Sequence, residues 1–530
     1  MRLKSRLSLV LIILVAIAWA PVIQIAGWVE DSRSLPKERV GALQGNLVRA
    51  RAPSSAPKAV SLLRRDQTRT IVIVIDGMEP ELLSPTLTPH LASLIAGELG
   101  AATTFTNAKA SMVTETNTNH ASIVTGLPGG SHGIVANNLF NRSAAASQST
   151  AKASMISSPT LFDAFAVQRP ELATAVVMGK ERLRDLFDCT RTSEGACGPS
   201  ADNPEGVAVQ HVRPNFLRGG TTNPLDVLVD PDGNAPGEPF FGATIDNFVI
   251  DQVIDLHSTA APALTFVNLP TVDGQQHLFG SKSAQGLASV TNVDAQIGRL
   301  ITWLRDAGLW EQTILMITAD HSFSELDSPG DALNVGPTRV SNPVLGHATG
   351  TRVVLSETLS DPGVLAFVAH AGSASIFLRE PEDGQLAAEL AGRAEDIKDV
   401  FGRPAVAAAY CRRKSLTCPE IPKEWGLDTA RIGEVLLTAD DSHVFVVRRS
   451  DVLAVLTGHH GGPTSLPVPL IIASGGPYIR TSAVSREVTT RDIAPTIASI
   501  YGLKGPDGGL FPGFGRWSRS LNEAFAHPVR

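Results

Sequence analysis

Residues 70–77 read Thr-Ile-Val-Ile-Val-Ile-Asp-Gly, six β-branched residues in a row followed by an acid and a glycine. A strand with one wet face alternates apolar and polar side chains. An unbroken β-branched run instead suits a strand covered on both faces, as in a parallel sheet. Similar runs recur at 173–178, 264–269, 313–318 and 468–473. Helical patterns lie between several of them: in 289–304, Val290, Val293, Ile297, Leu300, Ile301 and Leu304 share one helical face. Alternation of buried strands and amphipathic helices predicts an α/β fold, a three-layer α/β/α sandwich around a mostly parallel sheet.

Two stretches break the alternation. Residues 188–245 are rich in Gly, Pro, Asn and Asp. Residues 322–455 hold short alternating strands and a helical pattern near 384–397. The buried-strand pattern resumes at 468, so 322–455 reads as a smaller α+β cap insertion and the core as 68–321 plus 456–530. The 530 residues are 43% hydrophobic and 18% charged, a globular composition. A net charge of −7 provides no basic field, so nucleic-acid polymer binding is not expected.

The N-terminus carries Arg2, Lys4 and Arg6, then an uncharged run over 7–28, about long enough to span a bilayer. It reads as a signal peptide or a single transmembrane anchor, with 29–67 as a linker. Pro21 follows the Ala18-Trp19-Ala20 site and should hinder cleavage there, which slightly favours the anchor and hence a membrane contact. Ala16-Ile17-Ala18 offers the other small-x-small site. Either reading sends the remainder out of the cytoplasm (periplasmic, secreted or anchored with the folded part outside). Four cysteines in two close pairs, Cys189 with Cys197 and Cys411 with Cys418, suit two local disulfides in such a compartment. A four-thiolate zinc site lacks the usual short spacings.

Open parallel sheets place ligands beyond the carboxyl ends of their strands. Asp76-Gly77 follows the first run, and Asp273-Gly274-Gln275-Gln276-His277 follows 264–269. Asp320-His321 follows 313–318, and Gly458-His459-His460-Gly461 precedes 468–473. An Asp after a strand is usually a helix cap, and a lone His is usually a surface or core residue. Four segments delivering Asp and His to one sheet edge are a different matter, because zinc takes imidazole nitrogen and carboxylate oxygen in mixed sets. Asp320 and His321 are adjacent and would point to opposite faces of a strand, so both serve one site only if the strand has ended.

Residues 114–120 read Thr-Glu-Thr-Asn-Thr-Asn-His, followed by Thr125-Gly126 and by Ser131-His132-Gly133-Ile134-Val135-Ala136-Asn137. With Thr-x-Asp-His, Gly-x-His-Gly and Thr489-Thr490-Arg491-Asp492-Ile493-Ala494-Pro495-Thr496, these segments resemble the alkaline phosphatase superfamily, in particular its nucleotide pyrophosphatase/phosphodiesterase branch. The resemblance covers roughly 68–505. It implies a hydrolase with Thr116 as nucleophile and two Zn2+ ions. One is held by Asp76, Asp320, His321 and the Thr116 oxygen, the other by Asp273, His277 and His460. Zinc lowers the pKa of the threonine hydroxyl, and a phospho-threonine intermediate is formed and then hydrolysed. Asn137 would donate its amide to a phosphate oxygen. His120 and His132 would fix the turn, and His459 falls outside the Gly-x-His-Gly frame. Thr118, Val272, Gln276 and Ser322 stand where the family has Pro, Pro, Gly and Gly, which bears on loop shape.

The implied substrate is a small phosphate ester, most simply a diester. Lys180 and Arg182, in Gly179-Lys180-Glu181-Arg182-Leu183-Arg184, are similar to a cationic element of phosphonate hydrolases and some monoesterases. If both reach the phosphate, a dianionic substrate is favoured, so a phosphomonoesterase or phosphonate hydrolase is the alternative. The bland reading is an exposed basic first turn of a helix, but a helix start is an unfavourable place for cations, which slightly favours a functional reason. The stretches 126–133 and 230–234 lack the endings of a phosphate loop and of an EF-hand. A sulfatase would need a Cys- or Ser-x-Pro-x-Arg nucleophile motif, and a phosphoethanolamine transferase several membrane helices. A metal-binding pseudoenzyme would lack ligands, whereas all six and the threonine are present.

Overall fold

The first β-branched run forms strand β1, Arg69–Ile75, and its side chains from Ile71 to Ile75 are almost wholly buried. The computed structural model describes residues 67–150, 152–188, 215–219, 243–325, 352–354, 359–398, 403–413, 415, 417–440, 442–446, 458–505 and 515–527. These belong to one compact unit, residues 58–530. The main sheet also contains β2 (Ala101–Phe105), β3 (Thr174–Met178), β4 (Phe216–Gly219), β5 (Leu264–Leu269) and β6 (Thr313–Thr318). Later in the chain come β11 (Leu470–Ser474) and β12 (Ser482–Val484). The order across the eight strands is β12-β2-β11-β6-β1-β5-β3-β4.

β1 lies between β5 and β6 and is parallel to both, with Ile73 opposite Val267 on one side and Ile317 on the other. β11 alone runs antiparallel, against β6 and β2. This reversal matters for the site. The chain entering an antiparallel strand arrives at the edge where its parallel neighbours end, so residues before β11 meet residues after β1, β5 and β6. Two strands, β2 and β4, have no strong run in the sequence: AATTF and FLRG are short and mixed, and it is the sheet that makes them strands.

Helices pack in two groups. Pro89–Ile95, Ala243–Thr259, Thr271–Phe279 and Ala284–Asp306 touch one another, as do Thr116–Thr125 and its neighbours Leu161–Gln168, Glu181–Phe187 and Ile493–Tyr501. Around a sheet buried on both faces, this gives three layers. In Ala284–Asp306 all six apolar residues of the expected stripe are buried, each contributing roughly 1.5–3 kcal/mol relative to exposure. The Ser283 hydroxyl caps its start by accepting from Gly286 N–H at 2.9 Å.

Between β6 and β11 lies a second, antiparallel sheet of β7 (Val364–Ala369), β8 (Ser373–Leu378), β9 (Val406–Cys411) and β10 (Val435–Ala439), in the order β7-β8-β10-β9. It has its own buried cluster, to which helix Gly384–Glu395 contributes Ala387, Leu390, Ala391 and Ala394. Glu434 ties this sheet to the 138–149 hairpin. It accepts from Arg142 at 2.5 and 2.6 Å and from Arg412 at 2.8 Å. Cys411 and Cys418 are disulfide-bonded. Cys189 and Cys197, the linker and the N-terminal segment lie outside the described residues, among which no helix is long and apolar enough to cross a membrane.

Candidate active site

Asp76 is the first residue after β1, and Asp320-His321 begin two residues after β6, so the strand has ended before both side chains turn to one site. Asp273 and His277 sit one turn apart on helix α4, Thr271–Phe279, and so share a face (α1, α2 and α3 being Thr116–Thr125, Glu181–Phe187 and Ala243–Thr259). His460 comes from the loop before β11. Gly77, at φ +79°, lets the chain turn away from Asp76 while its missing Cβ leaves room for Phe323 and the Asp273 backbone.

Two groups of possible ligand atoms result, Asp76 with Asp320 and His321, and Asp273 with His277 and His460. Within each group the atoms lie within 4.8 Å of one another. The hydrogen bonds assign the histidine tautomers. His277 Nδ1 donates to the Gly458 carbonyl (3.0 Å), His321 Nδ1 to that of Ser322 (3.2 Å) and His460 Nδ1 to that of Thr114 (2.8 Å). A carbonyl can only accept, so each Nδ1 carries the proton and each Nε2 turns a lone pair into the site. The Nε2 atoms of His277 and His460 face each other at 3.2 Å.

The carboxylates divide their oxygens in the same way. Asp76 Oδ2 accepts from Asn268 Nδ2 at 2.8 Å, and Asp320 Oδ1 accepts from Gly77 N–H (3.2 Å) and His321 N–H (3.1 Å). Asp273 Oδ2 accepts from Lys180 at 2.6 Å. The other oxygens, Asp76 Oδ1, Asp273 Oδ1 and Asp320 Oδ2, are buried without a hydrogen-bond partner. They stand 3.3–3.7 Å from the Nε2 atoms of His277 and His321. Three orphaned anionic oxygens among three nitrogen lone pairs are costly in a buried site unless cations lie between them. The donor set therefore fits two divalent ions.

Burial holds His460 well below the usual imidazole range, reinforced by His321 and His277, and burial brings His321 down to about 4. Both are thus neutral and able to ligate at neutral pH. Burial, with the Asp76 charge beside it, holds Asp320 above the usual carboxylate range. Burial also pushes Asp273 up, but Lys180 and the two histidines outweigh it and hold the group low.

Thr116 is the first residue of α1, with its Oγ1 3.5 Å from His321 Nε2 and 3.5 Å from Arg182 Nη2. Asn137 is beside it. Its carboxamide oxygen accepts from Asn117 N–H at 2.9 Å, so the end left for a ligand is the amide NH2. His120 Nδ1 donates to the Thr116 carbonyl at 2.9 Å, and the His132 ring meets Ser122 at 2.9 Å. Both brace α1 from within. His459 pairs with Ser324 and belongs to neither ligand group. Lys180 differs from the expectation that it reaches substrate: its ammonium sits 2.8 Å from Asp76 Oδ2 and 2.6 Å from Asp273 Oδ2. Of the two cations, only Arg182 faces Thr116.

Several residues of the site were not singled out in the sequence. Asn268, in β5, joins Asp76 to His120 and is a polar interruption in the apolar run LTFVNL, a signal that was there to be read. Glu115 accepts from Asn137 N–H at 2.5 Å, and its carboxyl is pushed up to about 7 by burial. His370, at the β7–β8 turn, lies 3.7 Å from Glu115, and the same turn meets the ligand loop through Gly372 N–H to the His460 carbonyl (2.8 Å). No local pattern marks these two.

Residues 70–463, well over half of the chain, match the family model described as type I phosphodiesterase / nucleotide pyrophosphatase. A bis(5′-adenosyl)-triphosphatase of Bos taurus is 23% identical over 451 residues, 84% of this chain and 80% of its own length. Ectonucleotide pyrophosphatase/phosphodiesterase family member 5 of Homo sapiens is 21% identical over 85% of this chain and 78% of its own. Among solved structures, an inactive murine ectonucleotide pyrophosphatase/phosphodiesterase 5 in complex with AMP superposes with a TM-score of 0.58 at 18% identity, covering 83% of this chain and 96% of that one. The fold is that of these enzymes, and the chain belongs to the type I phosphodiesterase / nucleotide pyrophosphatase family of hydrolases.

Proposed function

We propose that the chain is a two-zinc phosphodiesterase or nucleotide pyrophosphatase that works through a phospho-threonine intermediate on Thr116, outside the cytoplasm. The observation that carries this reading is the convergence of three imidazole lone pairs and three unpartnered carboxylate oxygens beside one threonine hydroxyl. Asp76, Asp320 and His321 would hold one zinc and Asp273, His277 and His460 the other. Bound there, zinc supplies Lewis acidity that favours the threonine alkoxide and offsets charge on the phosphate.

The chain's own groups do the rest. Thr116 is held at the start of α1, where an anionic oxygen is stabilised, and attacks phosphorus as the ester oxygen leaves. The Asn137 amide and the Arg182 guanidinium are placed to donate to the non-bridging oxygens. Water then cleaves the phospho-threonine and regenerates the hydroxyl. A nucleotide-type ester is the natural first substrate, given what the relatives' names say of them. Arg182 beside Thr116 is the one feature favouring a dianionic monoester or phosphonate instead. Export is supported by the basic-then-apolar N-terminus and by the Cys411–Cys418 disulfide.

The test joins metal analysis to rates on bis-p-nitrophenyl phosphate and p-nitrophenyl phosphate. We expect two zinc ions per chain, and Thr116→Ala to lower the diesterase rate by at least about 10³-fold while keeping its metal. A chain that binds less than one metal, or a mutant as active as wild type, overturns the reading.

A further inference from the structure

Lys180 is the residue the mechanism above leaves without a task. Its ammonium is buried and bonds to one aspartate from each ligand group, Asp76 at 2.8 Å and Asp273 at 2.6 Å. In both aspartates it takes Oδ2, while Oδ1 is the oxygen left unpartnered beside the histidines. Lys180 is the N-cap residue of α2, Glu181–Phe187, where Gly179 brings the backbone against Pro270, the residue before α4. The cation is thus carried to the seam between the β1 end and α4 by an element that contributes no ligand.

From this geometry we infer that Lys180 is a positioning residue shared by the two metal sites, a resident cation that builds both before any metal arrives. It acts in two ways. It pins one oxygen of each aspartate, so that the other presents to its histidines and each carboxylate ligates through a single atom. It also compensates charge: three buried carboxylates around one cavity repel one another, and an ammonium between two of them offsets that repulsion. The inference rests on the two-metal reading for its meaning, but its central test is made without metal. A lysine that merely waited for substrate would show no such dependence.

The experiment compares metal-stripped and zinc-loaded full-length chains by thermal unfolding, with metal counted by elemental analysis. Lys180→Met keeps the bulk and removes the charge. The stripped variant should melt about 5 °C or more below stripped wild type, and zinc should raise its Tm by more than it raises that of wild type. Lys180→Arg should restore much of the stripped Tm. In an Asp273→Asn background, where one of the charges is already gone, Lys180→Met should cost clearly less, the coupling expected of a charge pair. Should Lys180→Met not fold without metal, Lys180→Ala with added ethylamine replaces it, and the amine should raise the stripped Tm where ethanol does not. Equal stripped melting of Lys180→Met and wild type, or an unchanged cost in the Asp273→Asn background, overturns the inference. Failure of wild type to bind two metals overturns the zinc reading alone, since the stripped comparison does not use it.

Discussion

The two ligand sets are chemically alike and structurally unlike. Asp76, Asp320 and His321 are fully buried and follow directly from β1 and β6, two central strands paired to each other. Asp273, His277 and His460 come from a helix and a loop, and His277 is partly exposed. The loop with His460 is held by hydrogen bonds from the second sheet: Gly372 N–H to the His460 carbonyl, and Ser373 Oγ to the Gly461 carbonyl at 2.6 Å. One set is built by the sheet, whose register tolerates little movement. The other is assembled from separate pieces and depends on the β7–β8 turn. The difference teaches that one site can have a rigid half and a conditional half, with Thr116 on the rigid side beside His321.

The largest effect should come from striking the conditional half. Gly461 has φ +98°, and a Cβ there would stand 1.8 Å from the His370 carbonyl oxygen. Gly461→Ala must displace the loop, so we expect one metal per chain by elemental analysis and an activity loss of about 10²-fold or more. Retention of both metals would remove the distinction between the halves. The matching blow to the rigid half is Asn268→Ala, which strips Asp76 and His120 of their shared donor. Here a chelator titration should show a loss of about 10–100-fold in affinity for the metal at Asp76, with the other site unmoved. Equal weakening of both sites would mean that they are one unit.

Arg182→Ala touches neither half and tests what lies between them. Loss of one charge-assisted hydrogen bond should lower kcat/KM about tenfold, more for p-nitrophenyl phosphate than for the diester. An equal loss on both substrates would assign Arg182 to orientation and not to selectivity. The smallest effect at neutral pH concerns α1 itself. His132 is brought to about 3 by burial, so the folded state resists a proton that the unfolded chain accepts near 6.5. Stability is intact above about 6.5 and falls as pH drops from there toward about 3, by about 1.4 kcal/mol per unit for this residue. Denaturant unfolding of His132→Gln should show a shallower acid slope than wild type.

Much of this molecule was legible because its signals are local. The β1, β5, β6 and β11 runs, the buried stripe of 284–306 and the four Asp/His segments each lie within a few residues of sequence. The structure brings all six expected ligand residues to one edge. What was not legible depends on neighbours. β2 and β4 are strands because neighbouring strands of the sheet pair with them. Asn268 and Glu115 act through partners more than twenty positions away, and His370 approaches Glu115 from the second sheet. Lys180 looked like a substrate cation because its segment resembles a cationic element of other phosphoryl hydrolases, and only its partners in space, Asp76 and Asp273, show where its ammonium goes.

The sequence by itself determined which residues are candidate ligands and, through the resemblance of its motifs, which hydroxyl is the candidate nucleophile, since both are carried by side-chain chemistry and short segments. Only the tertiary structure decided how those atoms are shared. The antiparallel course of β11 carries His460 to the edge where β1, β5 and β6 end, the backbone carbonyls fix each imidazole tautomer, and Lys180 takes one oxygen from each of two aspartates. Hydrogen bonds and charge pairs of this kind depend on distance in space, which a linear sequence does not contain.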